Sequence, residues 1–200
     1  MAQTSRVQNF LQIFLFVLLL AAPCMAQKPP TWEVFAGYSV ERSYVREYYK
    51  STPIIYTFRN QYANLKGWET SVTENVNRWF GGTLDLSGHY KTPQLLGTNN
   101  QERIYSILYG PRFSFRRPWG IPFAHVMLGA AHTNVKVIPV GPHASDLSFA
   151  MAAGGGLDIS FRNNAIRLFQ ADYSPTNALG IRRNNFRISA GVVFYLEKEK

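Results

Sequence analysis

The chain has 200 residues, a formal net charge of +9 at neutral pH, 46% hydrophobic residues and one Cys. After Ala26 no apolar run approaches the roughly 20 residues of a membrane-spanning helix, which excludes helical insertion of the main body. If the chain is cut after Ala26, the remainder has no Cys, which excludes disulfides and thiolate metal sites.

The first element is an export signal. Arg6 precedes an apolar run from Phe10 to Leu20, and small residues follow as far as Ala26. This pattern predicts a cleaved signal peptide over residues 1–26. A membrane anchor is an alternative, but the run is short and ends near Pro23. A lipoprotein signal built on Cys24 is a third, disfavoured because Pro23 precedes the Cys where a small residue is expected.

The basic charge belongs almost entirely to the exported part, because of the +9 only Arg6 lies in the signal, which leaves +8. An exported protein meets anionic lipid headgroups or lipopolysaccharide phosphates rather than nucleic acid. Much of the positive charge stands in predicted loops and turns and forms no dense run, so a solubilising rim is an equal alternative.

Eight stretches of alternating apolar and polar residues follow, and each is predicted to be a strand with one apolar and one polar face. In chain order they are Trp32–Val40, Lys66–Asn75, Phe80–Tyr90, Arg103–Phe115, Phe123–Thr133, Ser148–Phe161, Ile166–Tyr173 and Asn185–Leu196.

The predicted connections alternate in length. Long ones include Glu41–Leu65, Lys91–Gln101 and Ser174–Arg183, and short ones include Asn77–Trp79 and Arg116–Gly120. Such alternation is typical of transmembrane barrels, with long outer loops and short periplasmic turns. Aromatic residues near strand ends fit an interfacial girdle, although core packing of a soluble β-sandwich would also use them. They are Trp32, Tyr38, Trp68, Trp79, Tyr90, Trp119, Phe161, Tyr173 and Tyr195.

With this pattern, and with strings such as GWETSVTENVNRWFGGTLDLSGHY, ILYGPRFSF and GGGLDISFR, residues 27–200 resemble the small outer membrane barrels of the OmpA transmembrane domain and OmpX type, in the outer membrane protein β-barrel domain family. The resemblance implies an all-β, eight-stranded antiparallel up-and-down transmembrane barrel in the bacterial outer membrane. It also implies a monomer without cofactors, contact with outer membrane lipid and lipopolysaccharide, and insertion by the barrel assembly machinery.

The chain departs from that family at its end. Members commonly finish on an aromatic residue, whereas Phe194, Tyr195 and Leu196 are followed here by Glu197 to Lys200. We therefore expect an internal assembly signal or less efficient insertion, and no peptidoglycan-binding domain after the barrel.

The polar parity of the strands collects charged residues on several strands. An eight-stranded barrel is narrow enough for side chains to fill it, and unpaired buried charges are costly, so these groups must pair. We expect Arg112 and Arg187 to bridge to carboxylates of the set, forming a structural plug first and an ion path second. The set is Glu69, Asp85, His89, Arg112, Asp158, Asp172 and Arg187.

No catalytic or metal motif is evident, so we expect no enzyme. The four His residues are scattered, and His143 with Ser145 and Asp146 is only a weak suggestion of a triad. Gly154–Gly156 lies in a strand pattern with no following helix, so the glycines indicate relief of crowding in the barrel rather than a phosphate loop.

The main interpretation is a non-enzymatic outer membrane barrel that supports the envelope and displays its long loops, especially Glu41–Leu65, for binding host surfaces, phage or lipopolysaccharide. Three alternatives stay open. They are a narrow pore for ions or small solutes, a lipid A modifying enzyme, and a soluble lipocalin-like carrier with its apolar parity turned inward.

Overall fold

The computed structural model describes residues 30–50, 56–91, 94–95, 98–138, 143–161, 163–178 and 181–196. The predicted signal peptide and the charged tail after Leu196 lie outside these residues. In the described part of the chain, no helix is long and apolar enough to cross a membrane. The strands are β1 Trp32–Lys50, β2 Tyr56–Asn75, β3 Phe80–Lys91, β4 Gln94–Leu95, β5 Thr98–Ser114, β6 Ile121–Ile138, β7 His143–Phe161, β8 Asn164–Tyr173, β9 Thr176–Ala178, β10 Ile181–Arg183 and β11 Phe186–Leu196.

Eight long strands close into a ring. Each pairs antiparallel with its neighbours in the order β1, β2, β3, β5, β6, β7, β8 and β11. The ring is completed because β1 also pairs with β11, from Trp32 opposite Leu196 to Arg42 opposite Phe186. The prediction of an eight-stranded antiparallel up-and-down barrel is confirmed. Closure pairs every strand of the ring on both sides, which removes the free edges of an open sheet.

The two faces of the wall differ in polarity. Ile107, Leu128 and Ile188 are 52%, 52% and 61% exposed on the outside, whereas Glu69 and Asp85 are each 1% exposed inside. Apolar side chains therefore face outward and polar ones face the lumen. This is the opposite of the arrangement required by the lipocalin-like alternative.

One end of the barrel is more regular than the sequence suggests. The segment Glu41–Leu65, expected as a long loop with some strand extension, is strand over nearly all of its described length, with pairing from Glu41 opposite Leu65 to Lys50 opposite Tyr56. The alternation continues, with Glu41 and Ser43 buried and Arg42 exposed. Because outer positions such as Arg42 and Asn64 are also polar there, the apolar signal that marked the strands is weaker.

The opposite end carries the short turns. Residues 76–79, 115–120 and 163 connect successive strands there, close to the beginning of β1 and the end of β11. In the first turn the Asn77 side-chain oxygen accepts hydrogen bonds from the backbone N–H groups of Trp79 and Phe80, both at 2.9 Å. We call this end the turn end. The opposite end, where β1 and β2 pair from Glu41 opposite Leu65 to Lys50 opposite Tyr56, is called the hairpin end.

Aromatic residues ring the outside near both ends, and Trp68, Trp79 and Trp119 are 42%, 56% and 57% exposed. Tyr195 is an exception to the predicted girdle. Its ring packs inward against the buried cluster of Phe35, Ala165 and Val193, because its position in β11 has the parity of the lumen.

Candidate functional site

The candidate site is the polar lumen. All seven residues selected from the sequence have side chains on its inner wall and are at most 3% exposed. They come from six strands of the ring, so the site exists only when the barrel is closed. The structure divides them among three groups stacked along the barrel axis.

The central group surrounds the Arg187 guanidinium. Its Nη1 lies 2.9 Å from Asp85 Oδ1 and its Nη2 lies 2.8 Å from Asp172 Oδ2, while Nε lies 3.4 Å from Glu69 Oε2. Gln170 Nε2 donates to Glu69 Oε1 at 2.6 Å and to Asp172 Oδ2 at 2.8 Å. Three carboxylates thus share one cation, and the amide supplies further donors.

His125 completes this group from β6. Its Nε2 lies 2.8 Å from Asp172 Oδ1. An ionised carboxylate can only accept, so in that state the ring nitrogen is the donor. Asp172 therefore ties β8 to β6 over Gly154 of β7, which pairs with both residues, and also contacts Arg187 on β11.

The group toward the turn end is centred on Asp158. Arg112 Nη2 lies 2.8 Å from Asp158 Oδ2, and Arg167 approaches the same carboxylate with Nε at 2.8 Å from Oδ1 and Nη2 at 3.1 Å from Oδ2. Arg112 Nη1 is also 3.5 Å from Glu33 Oε2, whose Oε1 accepts a 2.6 Å hydrogen bond from Arg116. The two-atom contact of Arg167 gives this pair a defined orientation.

Aromatic rings fill the space beside these cations. The Cζ atoms of Arg112 and Arg167 lie 3.9 and 4.4 Å from the centre of the Phe123 ring, and Arg167 Cζ lies 4.1 Å from that of Phe35. Cations over ring faces gain electrostatic attraction while staying shielded from water. Arg167 Nη1 also donates to Gln170 Oε1 at 2.6 Å, which links this group to the central one.

The group at the hairpin end contains His89. Its Nε2 is 2.9 Å from Ser39 Oγ and its Nδ1 is 3.7 Å from Glu41 Oε2. Arg183 Nη1 donates to Glu102 Oε1 at 2.5 Å nearby, and Ser43 donates to Asn185 Oδ1 at 2.8 Å. His89 therefore contacts Ser39 and Glu41 rather than the carboxylates that bind Arg112 and Arg187, although the sequence placed all of them in one set.

Apolar side chains fill the rest of the inner wall on β2, β5, β6 and β7. Leu65, Leu108 and Met127 are at most 1% exposed, although the other face of their strands carries exposed apolar side chains. The inside of the barrel is thus packed by ion pairs and by an apolar wedge. The wedge consists of Ala63, Leu65, Ile104, Leu108, Met127, Ala131, Ala150 and Ala152.

Six buried ionisable residues of these three groups were not selected from the sequence. Five of them lie where the alternation was hard to follow, and the sixth, Arg167, lies at a bulge. Glu41, Glu102 and Arg183 had been assigned to loops or loop borders, and His125 lies on the strand with the least clear alternation. Glu33 lies on the inward parity of β1, one residue after Trp32 at the beginning of the predicted strand. Continuing the two-residue alternation past the apolar positions would have found Glu33 and Glu41.

Arg167 was missed because β8 contains a bulge. The pairing with β7 shifts between Leu157 and Asp158, so that Leu168 has no partner of its own, and Leu168 and Phe169 are 53% and 49% exposed. Alternation along the predicted strand Ile166–Tyr173 places Leu168 on the inward parity with Gln170 and Asp172, and this expectation is wrong. The extra residue turns Arg167 into the lumen, where a strict alternation would have turned it outward.

The described residues contain no group of three or more His, Cys, Asp and Glu side chains that could hold a metal ion. His143, Ser145 and Asp146 do not form a catalytic triad. Ser145 and Asp146 are consecutive residues of β7, so their side chains point to opposite faces of the strand. His143 Nε2 instead lies 3.1 Å from Asn134 Nδ2.

The closed ring, apolar exterior and charged, packed lumen define the fold of the small outer membrane β-barrels. Three crystal structures illustrate it: Ail, the attachment invasion locus protein of Yersinia pestis, in complex with the heparin analogue sucrose octasulfate; Neisserial surface protein A; and OprG of Pseudomonas aeruginosa. Their sequence identities to this chain are 18%, 14% and 10%, and the TM-scores are 0.56, 0.56 and 0.51.

The alignments cover 83% of this chain and 99% of Ail, 83% and 97% for the Neisserial protein, and 86% and 99% for OprG. The fold that the resemblance in sequence pattern implied is thereby confirmed. No protein-family model matches the chain. No curated protein matches it in sequence.

Proposed function

We propose that this chain is an integral protein of a bacterial outer membrane, exported by a signal peptide cut after Ala26. The observation that carries the proposal is the apolar outer wall around a charged lumen. Large side chains such as Tyr109, Leu128 and Phe149 stand 63%, 52% and 61% exposed on adjoining strands, a surface that requires lipid contact rather than water.

The lumen has a structural role in this proposal. Arg112 and Arg187 pair with carboxylates of other strands, such as Asp158 and Asp85, and so bind separate strands of the ring together, while the apolar wedge fills the remaining side of the barrel. We propose a plug that stiffens the barrel, with no enzymatic activity. Fusion with a planar bilayer should then give no steady current, and a current altered by Arg112→Ala would instead support the pore.

The surface role belongs to the hairpin end. The β1–β2 hairpin extends there well beyond Glu41 and Leu65, so we propose that it stands outside the membrane and serves as a binding surface. This placement is supported by the short turns at the other end. Ail is named for attachment and invasion and the Neisserial protein for its surface location, and the Ail structure holds a sulfated sugar.

Assembly is proposed to depend on the last strand. Phe194 and Leu196 face outward at the end of β11, which also closes the ring. We propose that the barrel assembly machinery recognises this segment internally, ahead of the charged tail, and that the barrel works as a monomer.

The test is to separate inner and outer membranes and to run the protein on a denaturing gel with and without boiling. We expect an outer membrane band that requires detergent and changes mobility on boiling. A soluble protein of constant mobility would refute the proposal. Mass spectra of lipid A from a strain without the gene should be unchanged, and an altered spectrum would restore the enzyme alternative.

A further inference from the structure

Two cations flank an aromatic side chain on the outer wall near the hairpin end. Tyr90 on β3 pairs with Lys66 on β2 and with Arg103 on β5, and all three side chains are exposed. Because neighbouring strands lie about 4.8 Å apart, the backbones of Lys66 and Arg103 are separated by roughly 10 Å. Their long side chains can therefore converge on one anionic group above Tyr90.

An aromatic platform lies one row closer to the middle of the barrel. Trp68 and Tyr105 flank Gly88 there, and a Cβ atom at Gly88 would lie only 2.9 Å from both Trp68 Nε1 and Tyr90 Oη. The missing side chain lets the indole lie across the strand and donate to Tyr90 Oη at 3.1 Å. The Tyr90 and Tyr105 rings meet edge to face, with centroids 5.6 Å apart. The platform is thus held together before any ligand arrives.

On the long strands of the ring, the exposed Lys and Arg side chains that the structure describes lie on one side of the barrel. Exposed cations also occur on the neighbouring strands, at Arg42 of β1 and Lys136 of β6. On the opposite wall, formed by β7, β8 and β11, the described strands contain no Lys, and their two arginines, Arg167 and Arg187, point into the lumen. Charges that served only to keep the protein soluble would be spread around the whole barrel. Cations concentrated on the strands around Tyr90 instead favour a binding site for an anionic ligand.

The chemistry of the patch requires an amphiphilic ligand. Ile107, one row below Tyr105 on the same strand, is 52% exposed and belongs to the apolar band, while Lys66 and Arg103 stand above the platform. Aromatic side chains at this level are typical of the membrane–water interface. A phosphate on an acylated sugar would place its charge at the cations and its chains along the band.

We propose that Lys66, Tyr90 and Arg103 bind a phosphate group of lipid A, the anchor of lipopolysaccharide, with Trp68 and Tyr105 contacting the sugar and the first part of the acyl chains. The proposal rests on the proposed function, because it places the hairpin end in the outer leaflet. Lipid A is chosen over phospholipid because the Trp68 and Tyr105 rings beside the cations offer aromatic faces to a sugar, and phosphatidylglycerol has no sugar.

The experiment measures lipid binding to the full mature barrel folded in detergent micelles, by native mass spectrometry. The probes are bisphosphorylated lipid A, the same lipid A without phosphates, and phosphatidylglycerol. The wild type should bind the bisphosphorylated form at least about tenfold more tightly than the dephosphorylated form, since contacts to charged groups are among the stronger hydrogen bonds. The preference should weaken as salt is raised.

The decisive variant is Lys66→Gln with Arg103→Gln, which should lose the phosphate preference. Lys66→Arg with Arg103→Lys keeps both charges and should retain it. The control, Arg78→Gln with Arg117→Gln, removes two charges at the turn end and should also retain it. Retention of the preference by the Gln double variant, or equal binding of phosphatidylglycerol by the wild type, would overturn the proposal.

Failure of this site is distinguishable from failure of the proposed function. The mobility change on boiling is recorded for every variant, and a barrel that folds and fractionates with the outer membrane but ignores the phosphates of lipid A refutes only the lipid site. A wild-type chain that neither needs detergent nor changes mobility refutes both.

Discussion

Replacement of Arg187 by Met would remove the cation that holds the centre of the lumen together. The guanidinium is 1% exposed and contacts Asp172 at 2.8 Å, Asp85 at 2.9 Å and Glu69 at 3.4 Å. Met fills part of the same volume, but the carboxylates are then left buried without their shared cation. Removal of one partner of a buried pair costs about 3 to 5 kcal/mol of folding free energy, and we expect a loss in that range.

The same reasoning predicts a rescue. Adding Asp85→Asn and Asp172→Asn to Arg187→Met removes two of the uncompensated charges, and the remaining carboxylate of Glu69 still accepts from Gln170 at 2.6 Å. Apolar or neutral replacement of a whole buried ion cluster is often close to neutral, so the triple variant should recover at least half of the loss.

The assay is equilibrium unfolding in urea of the barrel refolded in detergent micelles, followed by Trp fluorescence and by the gel mobility change. Arg42→Met is the control, since this exposed guanidinium lies over the Tyr62 ring on the outer wall at 5.4 Å and should contribute no more than about 1 kcal/mol. An Arg187→Met barrel as stable as the wild type, or a triple variant no better than the single one, would refute the plug.

Three further outcomes are expected. Gly154→Val should prevent formation of the heat-modifiable band, because a Cβ there would collide with the backbone of β8. The control Ala153→Val, on the outer face, should fold. A normally folded Gly154→Val barrel would contradict the packing. Phe123→Leu should lower the free energy of unfolding in urea by about 1 to 3 kcal/mol, because it removes the ring under two guanidinium groups. Phe194→Leu, on the outer face, should lower it by less. Equal losses for the two variants would argue against the stacking. Truncation before β11 should abolish insertion into lipid vesicles, because β1 and β8 would keep unpaired edges in the membrane; insertion of the truncated chain would show that closure by β11 is dispensable.

The sequence alone determined the class of fold and, outside the bulge in β8, which face of each long strand is apolar and which is polar. The information is local, since a two-residue alternation such as that of Phe186–Leu196 specifies two faces of a strand without knowledge of its neighbours. It also identified seven residues that the structure places on the inner wall, including Arg112 and Arg187. Charged residues on the polar parity of a strand must face the inside of a narrow closed barrel.

The tertiary structure decided which of these residues meet. The contacts of His89 with Ser39, of Asp158 with both Arg112 and Arg167, and of His125 with Asp172 all depend on how the strands are staggered in the closed ring. One bulged residue in β8 was enough to turn Arg167 inward. The two-residue period of a strand specifies which face each side chain is on. Which residues it contacts depends on pairing register and bulges, which arise only when the ring closes.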